Sequence, residues 1–255
     1  MKFWWLALLI GFAGIAHVLP AQAVLLLSTG SSTLDTQTAS VFENAGYTVT
    51  VGSPYHSVTA TEFAGVDVVL LFPNANWSAG DMPTAAQTAL VDFLQNGGGL
   101  ITSEWANWKV GAGSFQTLGP ALPVVSTTQY TGGSTITYTQ VEADAVLNAG
   151  LPASIAFTAD NFAGVESYFT AKNGATVLYS SSGGANGAGM VGWDYGSGRV
   201  LQISTTVGSS QLADPHFSLL LQNSVQWAAV PEPSTWLLLL TGLTALWAMR
   251  RHVRR

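Results

Sequence analysis

Apolar and polar positions along the first half of this chain alternate between short strand-like runs and longer helical ones. "VLLLSTG" (residues 24–30) is continuously apolar and closed by small polar residues, the pattern of a strand buried on both faces. "YTVTV" (47–51), "VDVVLLF" (66–72) and "LITS" (100–103) supply three more strands. Between the first two, Leu34, Ala39, Val41, Phe42 and Ala45 recur at helical spacing over residues 33–45, and Gly46 follows as a helix-terminating residue. A second helix starts near Pro83, whose missing N–H costs little in a first turn, and carries Ala86, Leu90, Phe93 and Leu94 before stopping at Gly97-Gly98-Gly99. Strand and helix alternating at this spacing predict a parallel, doubly wound α/β sheet.

The second half is less regular. Residues 134–143 alternate like a strand with one wet face, and 175–181 form another. "GMVGWDYGSGRVLQIS" (189–204) reads as a hairpin turning near residues 195–198, followed by a helix over about 215–227. The expected fold is therefore α/β: a flavodoxin-like, doubly wound, mostly parallel sheet with added antiparallel strands.

Both ends depart from this pattern. Met1 and Lys2 precede an apolar stretch over residues 3–16, and Ala21-Gln22-Ala23 has the small-x-small form of a cleavage site, the layout of a secretory signal peptide. The bulky Trp4 and Trp5 leave an uncleaved anchor as the alternative. At the other end, residues 233–249 just reach the lower bound of about 17 apolar residues for a bilayer span. Arg250, Arg251, Arg254 and Arg255 follow, and would stay cytoplasmic. The body would then face away from the cytoplasm.

The tail as a whole, Pro231-Glu232-Pro233, an apolar helix and a basic end, resembles the PEP-CTERM sorting signal of Gram-negative bacteria. That resemblance implies transient residence in the inner membrane, recognition and cutting by an exosortase, and delivery to the cell surface or exopolysaccharide matrix. The chain divides accordingly into 1–23 (signal peptide), 24–229 (one α/β domain) and 230–255 (sorting signal).

Composition narrows the partners of the body. Residues 24–229 carry Lys109, Lys172 and Arg199 against thirteen Asp and Glu, a net charge of −10 that disfavours nucleic acid and anionic lipid. Cysteine is absent, which removes disulfides, thiolate metal sites and every thiol mechanism. His56 and His216 stand alone without metal-ligand spacing, so no metal site and no cofactor are expected. Ser103 lacks a G-x-S-x-G context, and the glycine-rich stretch 180–189 lies between two strands instead of ahead of a helix, where it would cradle phosphate.

"VDVVLLF", "LVDFLQNGGGLITSEW", "DAVLNAGLPASIAFTADNFAGVESYF", "VGWDYGSGRVLQIS" and "FSLLLQNSVQWA" together resemble the class I glutamine-amidotransferase-like superfamily, in particular its ThuA-like branch. The resemblance implies a nucleophile elbow after the fourth strand, carrying cysteine in true amidotransferases and often histidine in ThuA-like proteins. Here Glu104 falls at that position, and Val207-Gly208-Ser209 stands where the branch usually has another histidine. Glutamine hydrolysis through a thioester is excluded, and inherited catalysis is in doubt.

Glu104 beside Trp105 and Trp108 has two readings: an acid or base whose pKa is raised by desolvation, or a structural carboxylate accepting hydrogen bonds. Glu166, in "VESY", matches an acidic position of the superfamily, and a pair of carboxylates is what glycoside hydrolysis needs. Ligands of open α/β sheets bind beyond the carboxyl ends of the strands, which selects residues 28–30, 73–77 and 103–108. Asn74, Trp77, Trp105, Trp108 and Trp193 are the expected ligand-binding residues, tryptophan faces for sugar rings and polar neighbours for hydroxyls, or else core filler. Two functions follow: a non-catalytic surface or matrix protein that binds polysaccharide, or an extracytoplasmic carbohydrate-active hydrolase using Glu104.

Overall fold

The computed structural model describes residues 22–130, 135–183 and 187–229. The expected leader up to Ala21, the Pro231-Glu232-Pro233 motif, the apolar tail and its arginines lie outside the described residues. Ala23, the last residue of the expected leader, is the first of strand β1 (Ala23–Ser28), and its N–H donates to Asp67 Oδ2 at 2.7 Å.

The chain then runs through helix α1 (Ser32–Glu43), β2 (Thr48–Pro54), β3 (Val68–Leu71), α2 (Thr84–Gln95), β4 (Gly99–Thr102) and α3 (Glu104–Gly111). Strands β5 (Val124–Tyr130), β6 (Thr135–Gln140), β7 (Ser154–Thr158), β8 (Glu166–Ala171), β9 (Thr176–Ser181), β10 (Ala188–Tyr195) and β11 (Gly198–Ile203) follow, and α4 (Ser209–Ala213) and α5 (Pro215–Ala228) close the domain. Nine strands form one sheet in the order β2-β1-β3-β4-β11-β10-β9-β6-β7. The first five are parallel, and the last four join them antiparallel through the β10–β11 hairpin. Strands β5 and β8 pair separately as an antiparallel ribbon. This is the flavodoxin-like α/β architecture with antiparallel additions.

The apolar alternation explains why helices cover both faces. Successive strand side chains point to opposite sides. Val24, Leu26, Val68, Leu70, Ile101, Leu201 and Ile203 therefore join one core with Leu34 and Phe42 of α1 and Phe217, Leu220 and Leu221 of α5. Leu25, Leu27, Val69, Leu71, Leu100 and Val200 join a second core with Ala86, Leu90 and Leu94 of α2. Gly46 takes φ +90°, the left-handed conformation that ends α1, and Gly196 takes φ +64° in the β10–β11 turn.

One local expectation changes. Residues 103–108, read as a strand-end loop, are helical from Glu104 onward: Ser103 stays extended at the N-cap and Glu104 begins the first turn, where a carboxylate complements the helix dipole. Glu104 has no left-handed backbone; among the described residues the non-glycine ones with positive φ are Phe115 and Ala163. The strained turn of a nucleophile elbow is thus missing at this position. Among the described residues no helix is long and apolar enough to cross a membrane, and no group of three His, Asp or Glu stands close enough to hold a metal ion.

Candidate functional site

Parallel pairing places the loops after β1, β3, β4 and β11 side by side at the carboxyl edge of the sheet. Each loop is tied to its neighbours by buried polar groups. Asp35 gathers the first, accepting from the Ser28 hydroxyl and from the Thr29 N–H and hydroxyl at 2.6–2.7 Å. Asn76 Nδ2 donates to the Ser28 carbonyl at 2.9 Å, and Asn74 Nδ2 to the Val207 carbonyl at 2.7 Å. Both asparagines thus staple the β3 loop to the loops beside it. From below, the Tyr55 hydroxyl donates to the Asn76 carbonyl at 2.8 Å and Lys109 Nζ to the Ala79 carbonyl at 2.8 Å. Lys109 also lies 5.0 Å from the Tyr55 ring centre, and burial lowers its pKa.

Three of the expected tryptophans meet here. Trp77 stacks on Trp105, ring centres 4.4 Å apart and planes 20° apart, while Trp108 stands edge-on to Trp105 at 4.9 Å and to Trp77 at 6.2 Å. Trp105 is buried, only 1% exposed, and its Nε1–H donates to the Phe162 carbonyl at 3.0 Å. Trp77 and Trp108 are half-buried and supply the accessible part of the cluster.

The carboxylates are deeper. Glu104 and Glu166 are each 0% exposed. The Glu104 N–H donates to the Thr205 carbonyl at 3.2 Å, and the Ser167 hydroxyl lies 3.5 Å from Glu104 Oε1. Glu166 bridges Thr205 through its backbone, accepts from the Ser204 hydroxyl, and Ser204 in turn shares a 2.8 Å hydrogen bond with the Tyr138 hydroxyl. Glu104 is thus reached by the Ser167 hydroxyl and Glu166 by the Ser204 hydroxyl, while both residues meet Thr205 through their backbones. Burial pushes the Glu166 carboxyl above its ordinary range, against the opposing pull of the Ser181 and Ser204 hydroxyls. Burial and the Glu166 charge likewise push up the Tyr138 hydroxyl.

Trp193 lies apart from this cluster. Its Nε1–H donates to the Ala121 carbonyl at 2.9 Å, and Lys172 Nζ stands 5.5 Å from its ring while donating to the Gly119 carbonyl at 2.7 Å. Together they hold the turn at residues 119–121. Sequence reasoning brought Asn74, Trp77, Trp105, Trp108 and Glu104 to one edge, as the topology does. It missed Tyr138, Ser167, Ser204, Tyr55 and Lys109, which are remote in sequence and carry no motif.

No family model matches the chain, and no curated protein matches it. Solved structures do. A cytoplasmic protein of Salmonella typhimurium LT2 superposes with a TM-score of 0.62 at 16% identity, over 82% of this chain and 100% of that one. A ThuA-like protein from Bacteroides uniformis gives 0.61 at 13% identity, over 84% and 93%. A β-galactosidase from Rahnella sp. R3 gives 0.57 at 12% identity, 83% of this chain aligning with 32% of that one. At such identities the likeness establishes the fold: the body shares the architecture of ThuA-like proteins.

Proposed function

We propose that this chain is an exported cell-surface or exopolysaccharide-matrix protein, sorted by an exosortase through its Pro231-Glu232-Pro233 tail, whose α/β body is a non-catalytic module binding carbohydrate on Trp77 and Trp108. The observation that carries the non-catalytic reading is the placement of the carboxylates. Glu104 and Glu166 are both fully buried, each 0% exposed. A glycosidase needs two carboxyl groups flanking one bond, roughly 5–10 Å apart and open to substrate. The half-buried Trp77 and Trp108 are what a polymer can reach, and aromatic faces stack on the C–H faces of sugars.

One observation favours the hydrolase reading: burial raises the pKa of the Glu166 carboxyl, the direction in which a general acid is tuned. A single set of measurements separates the two. Full-length protein produced in its own cells is fractionated and its intact mass read; loss of both end segments with recovery at the surface supports the sorting proposal, and retention of both in the cytoplasm defeats it. The surface-derived protein is then tested for binding and hydrolysis of the producer's exopolysaccharide. Binding lost in Trp77→Ala or Trp108→Ala with no turnover by any variant supports the binding module; turnover that vanishes in Glu104→Gln replaces it with the hydrolase.

A further inference from the structure

The body holds three cations, and two are committed to main-chain carbonyls: Lys109 to Ala79 and Lys172 to Gly119. The third, Arg199, stands at the opposite end of the sheet from the tryptophan cluster, where β11 begins beside the β10–β11 turn. It lines a cleft of about 360 Å³, inside the size range of small-molecule sites. Four of its eleven lining residues are charged, in a body where charge is otherwise scarce.

The cleft is built around a fixed guanidinium. Arg199 Nε pairs with Asp194 Oδ1 at 3.1 Å, Nη1 donates to the Trp227 carbonyl at 3.0 Å, and the group lies 5.1 Å from the Trp227 ring centre. Trp227 is itself anchored, its Nε1–H donating to Asp144 Oδ2 at 3.0 Å. Among the described residues two of the five guanidinium N–H groups are taken, so three remain as donors held in one orientation. Gly192 lets Trp227 and Leu178 pack directly on the β10 backbone, since a Cβ there would come within 2.8 Å of the Trp227 ring and 3.0 Å of Leu178.

We propose that this cleft binds a neutral polyhydroxylated ring, the size of one sugar unit. The free N–H groups of Arg199 donate to ring hydroxyls, and the carboxylates of Glu142 and Asp194 accept from others. Trp227 and Leu178, only 9% and 5% exposed, form a narrow apolar floor for the C–H face. Preorganised donors and acceptors around a small apolar surface are what hydroxyl recognition requires. Charge decides the class: Glu142, Asp144 and Asp194 outweigh Arg199 by two, so a uronate or phosphate meets net repulsion where a neutral ring does not. The site is separate from Trp77 and Trp108 and does not depend on the function proposed for them.

Isothermal titration of the purified full-length chain with methyl glucoside, methyl galactoside, methyl mannoside and methyl glucuronide tests it. At least one neutral glycoside is expected to bind, about tenfold or more tighter than the glucuronide. Thr176→Trp, which fills the cleft from an exposed strand position, should abolish that binding, while Trp77→Ala leaves it unchanged. Glu142→Gln should narrow the neutral-to-glucuronide ratio by roughly threefold or more. Absence of binding by every neutral glycoside, equal binding of the glucuronide, or binding that survives Thr176→Trp but not Trp77→Ala overturns the proposal. If Thr176→Trp does not fold, Glu142→Gln at its exposed position decides alone, and an unchanged ratio overturns it.

Discussion

Trp77 and Trp105 stack with ring centres 4.4 Å apart and planes 20° apart, joining the loop after β3 to the first turn of α3. The pair divides the labour of the cluster. Trp105 is buried and bonded to the Phe162 carbonyl, so it fixes the platform; Trp77, half-buried above it, presents the platform.

Truncating the two rings should therefore have unequal effects. Trp105→Ala is expected to lose about 3–5 kcal/mol of stability, through the cavity and the unpaired Phe162 carbonyl. Trp77→Ala should lose markedly less. Urea unfolding curves of the two variants give the comparison, and equal losses would contradict this division.

Glu166 sets a pH dependence. Burial holds its folded-state pKa above the ordinary 4.5, so the native protein keeps this proton to higher pH than the unfolded chain does. Its contribution is fully present below about pH 4.5 and is lost as pH rises through the folded-state value. Glu166→Gln cannot ionise. Its urea midpoint should gain on that of the parent as pH is raised from 4.5, and a difference constant with pH would show that Glu166 titrates normally.

Gly183 guards the same carboxylate. A Cβ at this position would lie 2.1 Å from Glu166 Oε2 and 2.5 Å from Ile136 Cδ1. Gly183→Ala is expected to cost about 1–3 kcal/mol through overpacking. Combined with Glu166→Ala, which removes one of the two clashing groups, the double variant should be more stable than the summed single effects by at least roughly 0.5 kcal/mol. Simple additivity in a double-mutant cycle would place the strain elsewhere.

Lys109 and Trp193 are predicted to act as staples. Lys109→Met keeps an apolar stem against Tyr55 and Phe115 but withdraws the charged donor from the Ala79 carbonyl, a loss of about 1–3 kcal/mol. Because Ala79 follows Trp77 in the same loop, this variant should also raise acrylamide quenching of tryptophan fluorescence. Trp193→Phe should destabilise by about 1 kcal/mol, through loss of the bond to Ala121, and urea unfolding measures it; an unchanged midpoint would show that the bond contributes nothing.

By itself the sequence determined the doubly wound frame, because burial on both faces leaves a direct record: the unbroken run at Val24–Leu27 splits into Val24 and Leu26 on one core and Leu25 and Leu27 on the other. It also determined the β10–β11 hairpin, since only residues tolerant of a left-handed turn, such as Gly196, interrupt the two strands. Topology then brought Asn74, Trp77 and Glu104 to one edge, as their positions just beyond strands implied. Only the tertiary structure decided what these residues do there. Whether a tryptophan is platform or filler, and whether two carboxylates are open or buried, depends on partners such as Phe162, Ser167 and Ser204, which lie tens of residues away in the chain. The β5–β8 ribbon that carries Glu166 and Ser167 was equally illegible, because its two strands are paired by long-range hydrogen bonds with no local signature. Local periodicity encodes which face a residue turns to the core. Long-range packing selects which of the buried polar groups meet.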